Sequence, residues 1–524
     1  MAILNTYEFL AISSLIVPER VAIAFEEHFI SYSELEERVT KLANAMAEAG
    51  VKKGDRVALM QVNTNQAIEI YFATAQLDAI YVPINFRAKV DELDQMLTIS
   101  EPSLIFIGSR YIPLVDQLIE QKLISMNQAI VLDSTDANHL RPYETFLSSG
   151  STEQNHFPEN DELDTTVIMF TAGTTGIPKG VMLSHNSFAT YLLSTVSPAD
   201  PDIEETNLIT VPFYHIAGLQ AALAAIYGGR TMAIMRQFDP LEWLQSAQSH
   251  SANRAMLVPT MLKRIIEHPQ FHDYDLSAMN VITYGAAPMP IPVIRQAIID
   301  FPGTMFINAF GQTETASTIT MLPPEDHILE GTDTEIDVKL RRLGSIGKPL
   351  DDIEVLIVSE DGLPVEQGTI GEIVARGPRL MSGYWHQEEA TADTIKSGWL
   401  YTGDLAFQDK DGYIFLSGRA KDFIKRGGEM ISPEEVEQVL MSHPKVSDAA
   451  IIGTPDDEWG EEILAIVVPI DPEPTTEELI TYCGSKLASF KRPKTVIFIE
   501  ELPRNTMGKV LKRDLRERYN SLHK

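Results

Sequence analysis

The strongest constraint on this chain is an alternation of short apolar runs with helical segments over its first three hundred residues. A strand-like run at residues 56–62 leads into a helical stretch at 66–77 and a second strand-like run at 79–84. Further buried-strand patterns recur at residues 207–212, 231–235, 254–258, 281–284 and 304–309. Strands separated by helices need crossover connections, so parallel sheets covered by helices are predicted. Ser33 and Glu36 form a capping-box pattern opening a helix that runs toward Gly50. After Leu343 the texture changes to short strands joined by turns at Asp361-Gly362, Gly368 and Asp411-Gly412, which predicts a small β unit. The expected class is therefore α/β with a small β unit, and 524 residues allow two to four domain-sized cores.

Charge narrows the partners. The chain carries 42 Lys+Arg against 74 Asp+Glu, a net charge of −32. Nucleic acid and anionic membrane surfaces both demand basic patches, so neither is expected as a partner. Of the net charge, −29 falls before Arg419, leaving a nearly neutral C-terminal piece suited to a polyanionic small ligand. The single cysteine, Cys483, excludes an intrachain disulfide and reads as core packing. The first basic residue is Arg20, and apolar stretches such as residues 221–227 are too short for a bilayer span. A cytoplasmic protein without membrane insertion is expected, and a homo-oligomer is left open.

Four groups of residues carry chemistry. Thr171, Gly173, Thr174, Thr175, Gly176 and Lys179 lie in a glycine- and threonine-rich loop between two apolar runs. Such a backbone converges N–H groups on an anion, with Lys179 adding a cation; the alternative is a glycine-rich surface hairpin. Pro178 distinguishes it from the common P-loop, which ends Gly-Lys-Ser/Thr and opens a helix. Gly285, Ala286 and Ala287 follow one strand, and Gly311, Gln312, Thr313 and Glu314 follow another. Ligands of open α/β sheets sit beyond the carboxyl ends of strands, and Glu314 suits a hard cation. Asp404 follows Thr402-Gly403 and suits a ribose diol, and a charged run from Arg419 to Arg426 ends in Gly427-Gly428. Lys509 sits in a loop near the C-terminus.

Taken together, in this order and spacing from about residue 20 to 515, these motifs resemble the adenylate-forming superfamily of acyl-CoA synthetases, adenylation domains and firefly luciferase. The resemblance implies a large N-terminal domain (residues 1–420) of two αβ sheet subdomains and a β-barrel. A small mobile α+β domain (421–524) follows on a hinge. It implies activation of a carboxylic acid by ATP and Mg²⁺ to an acyl-adenylate, then transfer to coenzyme A. The alternative it allows is a stand-alone adenylation enzyme loading a carrier protein. By the resemblance, residues 171–179 grip the triphosphate, with Thr171 and Lys179 among the catalytic groups. Gly285, Ala286, Ala287 and Ala309 wall the adenine and acyl sites, Phe310 stacks on adenine, and Gly311 and Thr313 line the nucleotide. Glu314 is the magnesium ligand, Asp404 and Arg419 contact ribose, and Lys421 is the hinge. Lys425, Gly427 and Gly428 meet the pantetheine thiol, and Lys509 joins the α-phosphate and carboxylate. Two positions depart from the family pattern: Ala172 replaces a serine and Phe310 a tyrosine.

For the acid, the informative segment is residues 211–219. The resemblance makes His215, Ile216, Ala217 and Gly218 the border of the acyl pocket. No aspartate lies there to pair with a substrate ammonium. Ala217 and Gly218 are expected to leave space. A short, medium-chain or aromatic acid without an α-amino group is expected.

Overall fold

A computed structural model describes residues 4–134, 139–159, 161, 163–171, 177–419, 422–426, 429–456, 459–505 and 508–519. Two large sheets dominate the N-terminal part, each with a parallel centre; the first is antiparallel at one margin and the second at both. The first runs Gly383–Tyr384, Lys179–Ser184, Thr165–Thr171, Ile80–Pro83, Arg56–Met60, Leu104–Ile107, Ala129–Val131, Arg141–Pro142. The second runs Lys348–Pro349, Ser317–Leu322, Met305–Gln312, Val281–Gly285, Arg254–Leu257, Thr206–Ile209, Thr231–Ile234, Val21–Phe25, His28–Ser31. Their central ladders are parallel, as the alternation of strands and helices requires.

One core joins the two sheets. It includes Val57, Tyr81 and Val167 of the first sheet, Ile23, Ile209 and Met232 of the second, and Leu219, Leu223 and Ile226 between them. The last three belong to the helix Ile216–Tyr227, whose buried face takes in nearly every residue. A helix apolar all round belongs between layers rather than at a surface. The helix beginning near residue 33 starts two residues earlier than expected, at Tyr32. Ser31 is the cap, its hydroxyl accepting from Glu34 N–H while the Glu34 carboxylate accepts from Ser31 N–H. Ser33 and Glu36 have the right types but lie inside the helix.

The small β unit after Leu343 is an antiparallel sheet. Glu354–Val358 pairs with Gly371–Arg376, which pairs with the long strand Trp399–Gln408. The long strand's other edge takes Ile395–Lys396 and then Ile414–Arg419. Its core contains Ile357, Ile373, Ala406 and Ile414, with Ile319 and Ile346 from the second large sheet's margin. Asp411-Gly412 is the hairpin turn between the last two strands, and Gly412 has φ of 86°.

A separate small sheet forms the C-terminal part, in the order Glu429–Ile431, Ile424–Arg426, Gly460–Pro469, Val446–Asp456, with Thr495–Phe498 parallel to Gly460–Pro469. Helices Pro433–Met441 and Thr476–Gly484 cover it. Cys483 is buried in this core, and burial pushes its thiol up to about 11, which fits packing rather than nucleophilic chemistry. No helix among the described residues is long and apolar enough to cross a membrane.

Candidate active site

Five of the predicted residues, Thr171, Lys179, Glu314, Asp404 and Arg419, lie on or beside antiparallel ladders of the three N-terminal sheets. Thr171 and Lys179 are cross-strand partners at the end of the ladder between Thr165–Thr171 and Lys179–Ser184. The two strands expected on either side of the glycine-rich segment are therefore antiparallel neighbours. Gly173, Thr174, Thr175 and Gly176 lie outside the described residues, as do Lys421, Gly427 and Gly428.

Tyr384, which the sequence reading did not single out, links this loop to Glu314. Its phenol donates to Glu314 Oε1 at 3.0 Å, and the Lys179 ammonium lies 4.6 Å from its ring centroid. Tyr384 sits on a two-residue strand, Gly383–Tyr384, paired with Met182 and Val181. A single tyrosine in a segment without a glycine-rich or charged signature offers little to notice in sequence. The only cue is its closeness to glycine before two further aromatic residues, Trp385 and His386.

Glu314 lies in a 3₁₀ turn, Thr313–Thr315, at the end of Met305–Gln312. That strand runs two residues beyond the expected end, so Gly311 and Gln312 are ladder residues rather than loop. The turn is forced into shape. Ala316 and Ser317 both have positive φ, 49° and 83°, in the left-handed region that costs a side-chain-bearing residue about 1–2 kcal/mol. Thr315 holds the turn: its buried hydroxyl donates to the carbonyls of Gln312 and Ser317. Consecutive strained residues beside a carboxylate fit a functional turn.

Gly285 and Ala309 are cross-strand neighbours, and a Cβ on Gly285 would lie 2.1 Å from the Ala309 carbonyl oxygen. This glycine thus serves close strand approach. Ala286 follows with φ of 66° and is exposed, while Ala287, Ala309 and Phe310 are partly exposed. Phe310 also packs against the core of the small β unit.

Asp404 and Arg419 face one another across the ladder of the β unit, with guanidinium to carboxylate at 3.0 Å. Burial pushes the Asp404 carboxyl above its ordinary range, while the cations of Arg419 and Lys509 pull it back. Gln312 Nε2 donates to the Thr402 carbonyl at 3.3 Å, tying this strand to the Glu314 turn. A continuous set of contacts therefore runs from Lys179 through Tyr384 and Glu314 to the Asp404–Arg419 pair.

Lys509 comes from the small C-terminal part. Its loop rests against the helix Pro259–Ile266: a Cβ on Gly508 would sit 2.3 Å from the Thr260 hydroxyl oxygen. On the same helix, Lys263 donates to the Ser447 carbonyl at 3.0 Å and to the Ser447 hydroxyl at 3.2 Å. The small sheet is thereby held with Lys509 toward Asp404. Lys425 is exposed on that sheet, its N–H bound to Glu461 Oε2 at 2.6 Å.

The acyl segment is only partly as expected. His215 caps the helix Ile216–Tyr227, its ring 4.3 Å from that of Tyr214, which meets Phe86 edge-on. Desolvation pushes the His215 imidazole down to about 3, so it is neutral near pH 7. Ala217 is buried. Gly218 does not contribute open space: a Cβ there would lie 2.3 Å from the Pro212 carbonyl oxygen. Its missing side chain is occupied by the chain's own backbone.

The paired strands at Thr171 and Lys179, a carboxylate on a strained turn, the Asp404–Arg419 pair and a lysine from the small C-terminal part thus share one region, and the fold that assembles them is that of adenylate-forming enzymes. Comparison with known proteins agrees. Residues 16–385 match the AMP-binding enzyme family model, and residues 435–509 match the AMP-binding enzyme C-terminal domain. A feruloyl-CoA synthase from Amycolatopsis sp is 34% identical over 504 residues, 96% of each chain. A long-chain-fatty-acid–CoA ligase from Mycobacterium tuberculosis is 32% identical, covering 94% of this chain and 93% of that one. The o-succinylbenzoate CoA synthetase of Bacillus subtilis, solved with its acyl-adenylate intermediate, superposes with a TM-score of 0.82 at 28% identity over 97% of each chain. The chain belongs to the AMP-binding enzyme family; curated members similar to it include acid–CoA ligases and a fatty acid–[acyl-carrier-protein] ligase from Streptomyces coeruleorubidus, 30% identical over 96% of this chain and 94% of that one.

Proposed function

We propose that this protein is an ATP-dependent carboxylic acid–CoA ligase, forming AMP, on a short, medium-chain or aromatic acid. A carboxylate oxygen attacks the α-phosphorus of ATP, the bond to pyrophosphate breaks, and an acyl-adenylate forms. The thiol of coenzyme A then attacks the acyl carbon, and AMP leaves with the electron pair. The observation that carries this reading is the reach of the Lys509 cation to Asp404, whose strand is tied through Gln312 to the turn that carries Glu314 and its partner Tyr384.

In the first step two anions must meet. Lys509 and Lys179 would neutralise charge developing on the phosphate, a preorganised stabilisation aimed at the transition state. Thr171 and the loop to Lys179 would hold the β- and γ-phosphates. Mg²⁺ would enter as part of the ATP substrate, with Glu314 its protein ligand. Magnesium commonly takes one or two carboxylates plus phosphates. That fits a single glutamate, and among the described residues no group of three or more His, Cys, Asp or Glu could hold a metal. Asp404 would accept from the ribose hydroxyls with Arg419 beside it, and Phe310 would stack on adenine against the Gly285–Ala287 and Ala309 wall. For the second step the domains divide at residues 420 and 421, with Lys421 the hinge. Rotation there would withdraw Lys509 and bring Lys425, Gly427 and Gly428 to the pantetheine arm.

The pocket segment supports an acid lacking an α-amino group, because no acidic side chain lies in residues 211–219 and His215 is neutral. Similar ligases take their names from an aromatic and a long-chain acid, so the choice between them rests on the pocket. The site of action proposed is the cytoplasm. The test is a panel of acids with ATP, Mg²⁺ and free CoA or a carrier protein as acceptor. Thioester on CoA with short, medium or aromatic acids, and little with palmitate, is expected. Preference for palmitate, an α-amino acid or the carrier protein overturns the assignment.

A further inference from the structure

Residues 381–387 form a strap between the phosphate-side hairpin and the Glu314 turn. Met381 N–H donates to the Glu314 carbonyl at 3.0 Å, and Ser382 N–H to the Met182 carbonyl at 3.1 Å. Trp385 N–H donates to the Gly180 carbonyl at 2.7 Å, and Gln387 Nε2 to the Pro178 carbonyl at 3.0 Å. Backbone bonds at both ends therefore fix the one side chain in the middle that reaches both charged groups. That side chain is Tyr384, only 5% exposed.

Its two ends do different work. The phenol O–H occupies Glu314 Oε1, which restricts rotation of the carboxylate and leaves its second oxygen free of this bond. The ring face, negative in its quadrupole, lies 4.6 Å from the Lys179 ammonium. Without the ring, the flexible lysine stem would have no fixed seat above the hairpin.

We propose that Tyr384 is a positioning residue for the metal–nucleotide substrate, setting the Glu314 carboxylate with its hydroxyl and the Lys179 ammonium with its ring. The proposal rests on the nucleotide reading of this site and adds a specific division of labour. The hydroxyl governs the metal-dependent part of ATP affinity, and the ring governs the metal-independent part.

Calorimetric titration of ATP into the full-length protein, with Mg²⁺ and again with EDTA, separates the two. Tyr384→Phe should bind ATP in EDTA as the wild type does, and lose about tenfold of the gain that Mg²⁺ provides, the scale of a hydrogen bond to a charged group. Tyr384→Leu should lose that gain and also bind several-fold more weakly in EDTA. Thermal unfolding of all three proteins guards against a folding defect, and Tyr384→Phe keeps the buried ring. A wild type that binds no ATP in either buffer overturns the nucleotide reading and this proposal with it. A wild type that binds, with Tyr384→Phe keeping the full Mg²⁺ gain, overturns the proposal alone. Equal losses in EDTA for the Phe and Leu variants overturn it too, since the ring would then have no role of its own.

Discussion

Phe310 has two neighbourhoods, the expected adenine site and the core of the small β unit. Its substitutions therefore have two readouts. Phe310→Ala should raise the KM for ATP through lost stacking, about 1–3 kcal/mol for a base on an aromatic ring. It should also lower the melting temperature, because apolar contacts with the β unit go as well. Phe310→Tyr should change little in either. An unchanged ATP KM in a folded Ala variant would assign the ring to packing alone. His327 gives a second residue-scale test. Buried between the Tyr284 hydroxyl and the Pro323 carbonyl, each at 2.9 Å, its imidazole is pushed down to about 4 by burial, against Asp326 and Glu325. A folded-state value below the ordinary 6.5 means the unfolded chain binds the proton more readily. Stability from the neutral ring is complete above about pH 6.5 and is lost as pH falls toward 4, at about 1.4 kcal/mol per pH unit. Denaturation of wild type and His327→Gln across that range should show the wild-type advantage shrinking with acid. A constant difference would mean that the ring does not titrate there.

Among elements, the helix Ile216–Tyr227 gives a discriminating test. Alanine normally favours a helix over glycine by about 1 kcal/mol. At Gly218 the sign should reverse, because the added Cβ meets the Pro212 carbonyl oxygen. Gly218→Ala should lose about 2 kcal/mol, the scale of an overpacked core site. It should also raise the KM for the acid, as the segment carrying His215 is pushed aside. Increased stability would contradict the contact. The same helix shows what the sequence could and could not tell. Parallel sheets, the Asp411-Gly412 hairpin and the two strands ending at Thr171 and starting at Lys179 are legible in the sequence, since periodicity and turn residues are local. Gly218 was read as open space because a glycine's vacancy is filled by residues that only the fold brings near. The helix cap was misplaced from Ser31 to Ser33 because two serines, each with a glutamate three residues on, offered the same local pattern. Tyr384 was missed because its partners lie 70 and 205 residues away, beyond any local pattern.

In the whole molecule, the small C-terminal part touches the large one at Thr260 and Lys263, and this holds Lys509 toward Asp404. Lys509→Ala should abolish pyrophosphate exchange, since a transition-state charge contact is lost. Supplied acyl-adenylate should still be converted with CoA to thioester. Gly428→Trp should do the reverse, keeping exchange while blocking the thiol path. Lys263→Ala, which touches no predicted substrate, should slow exchange and spare the second half-reaction. If all three variants lost both half-reactions equally with the fold intact, the two-orientation scheme would fail. Under the proposed rotation, the docking at Lys263 would also set the order in which substrates can be taken. An enzyme turned toward adenylation would have no acceptor position to offer until pyrophosphate had gone and the domain had swung. Initial rates plotted reciprocally against CoA, at several fixed ATP concentrations, should give parallel lines, and Lys263→Ala should tilt them toward intersection as the resting population divides between the two orientations.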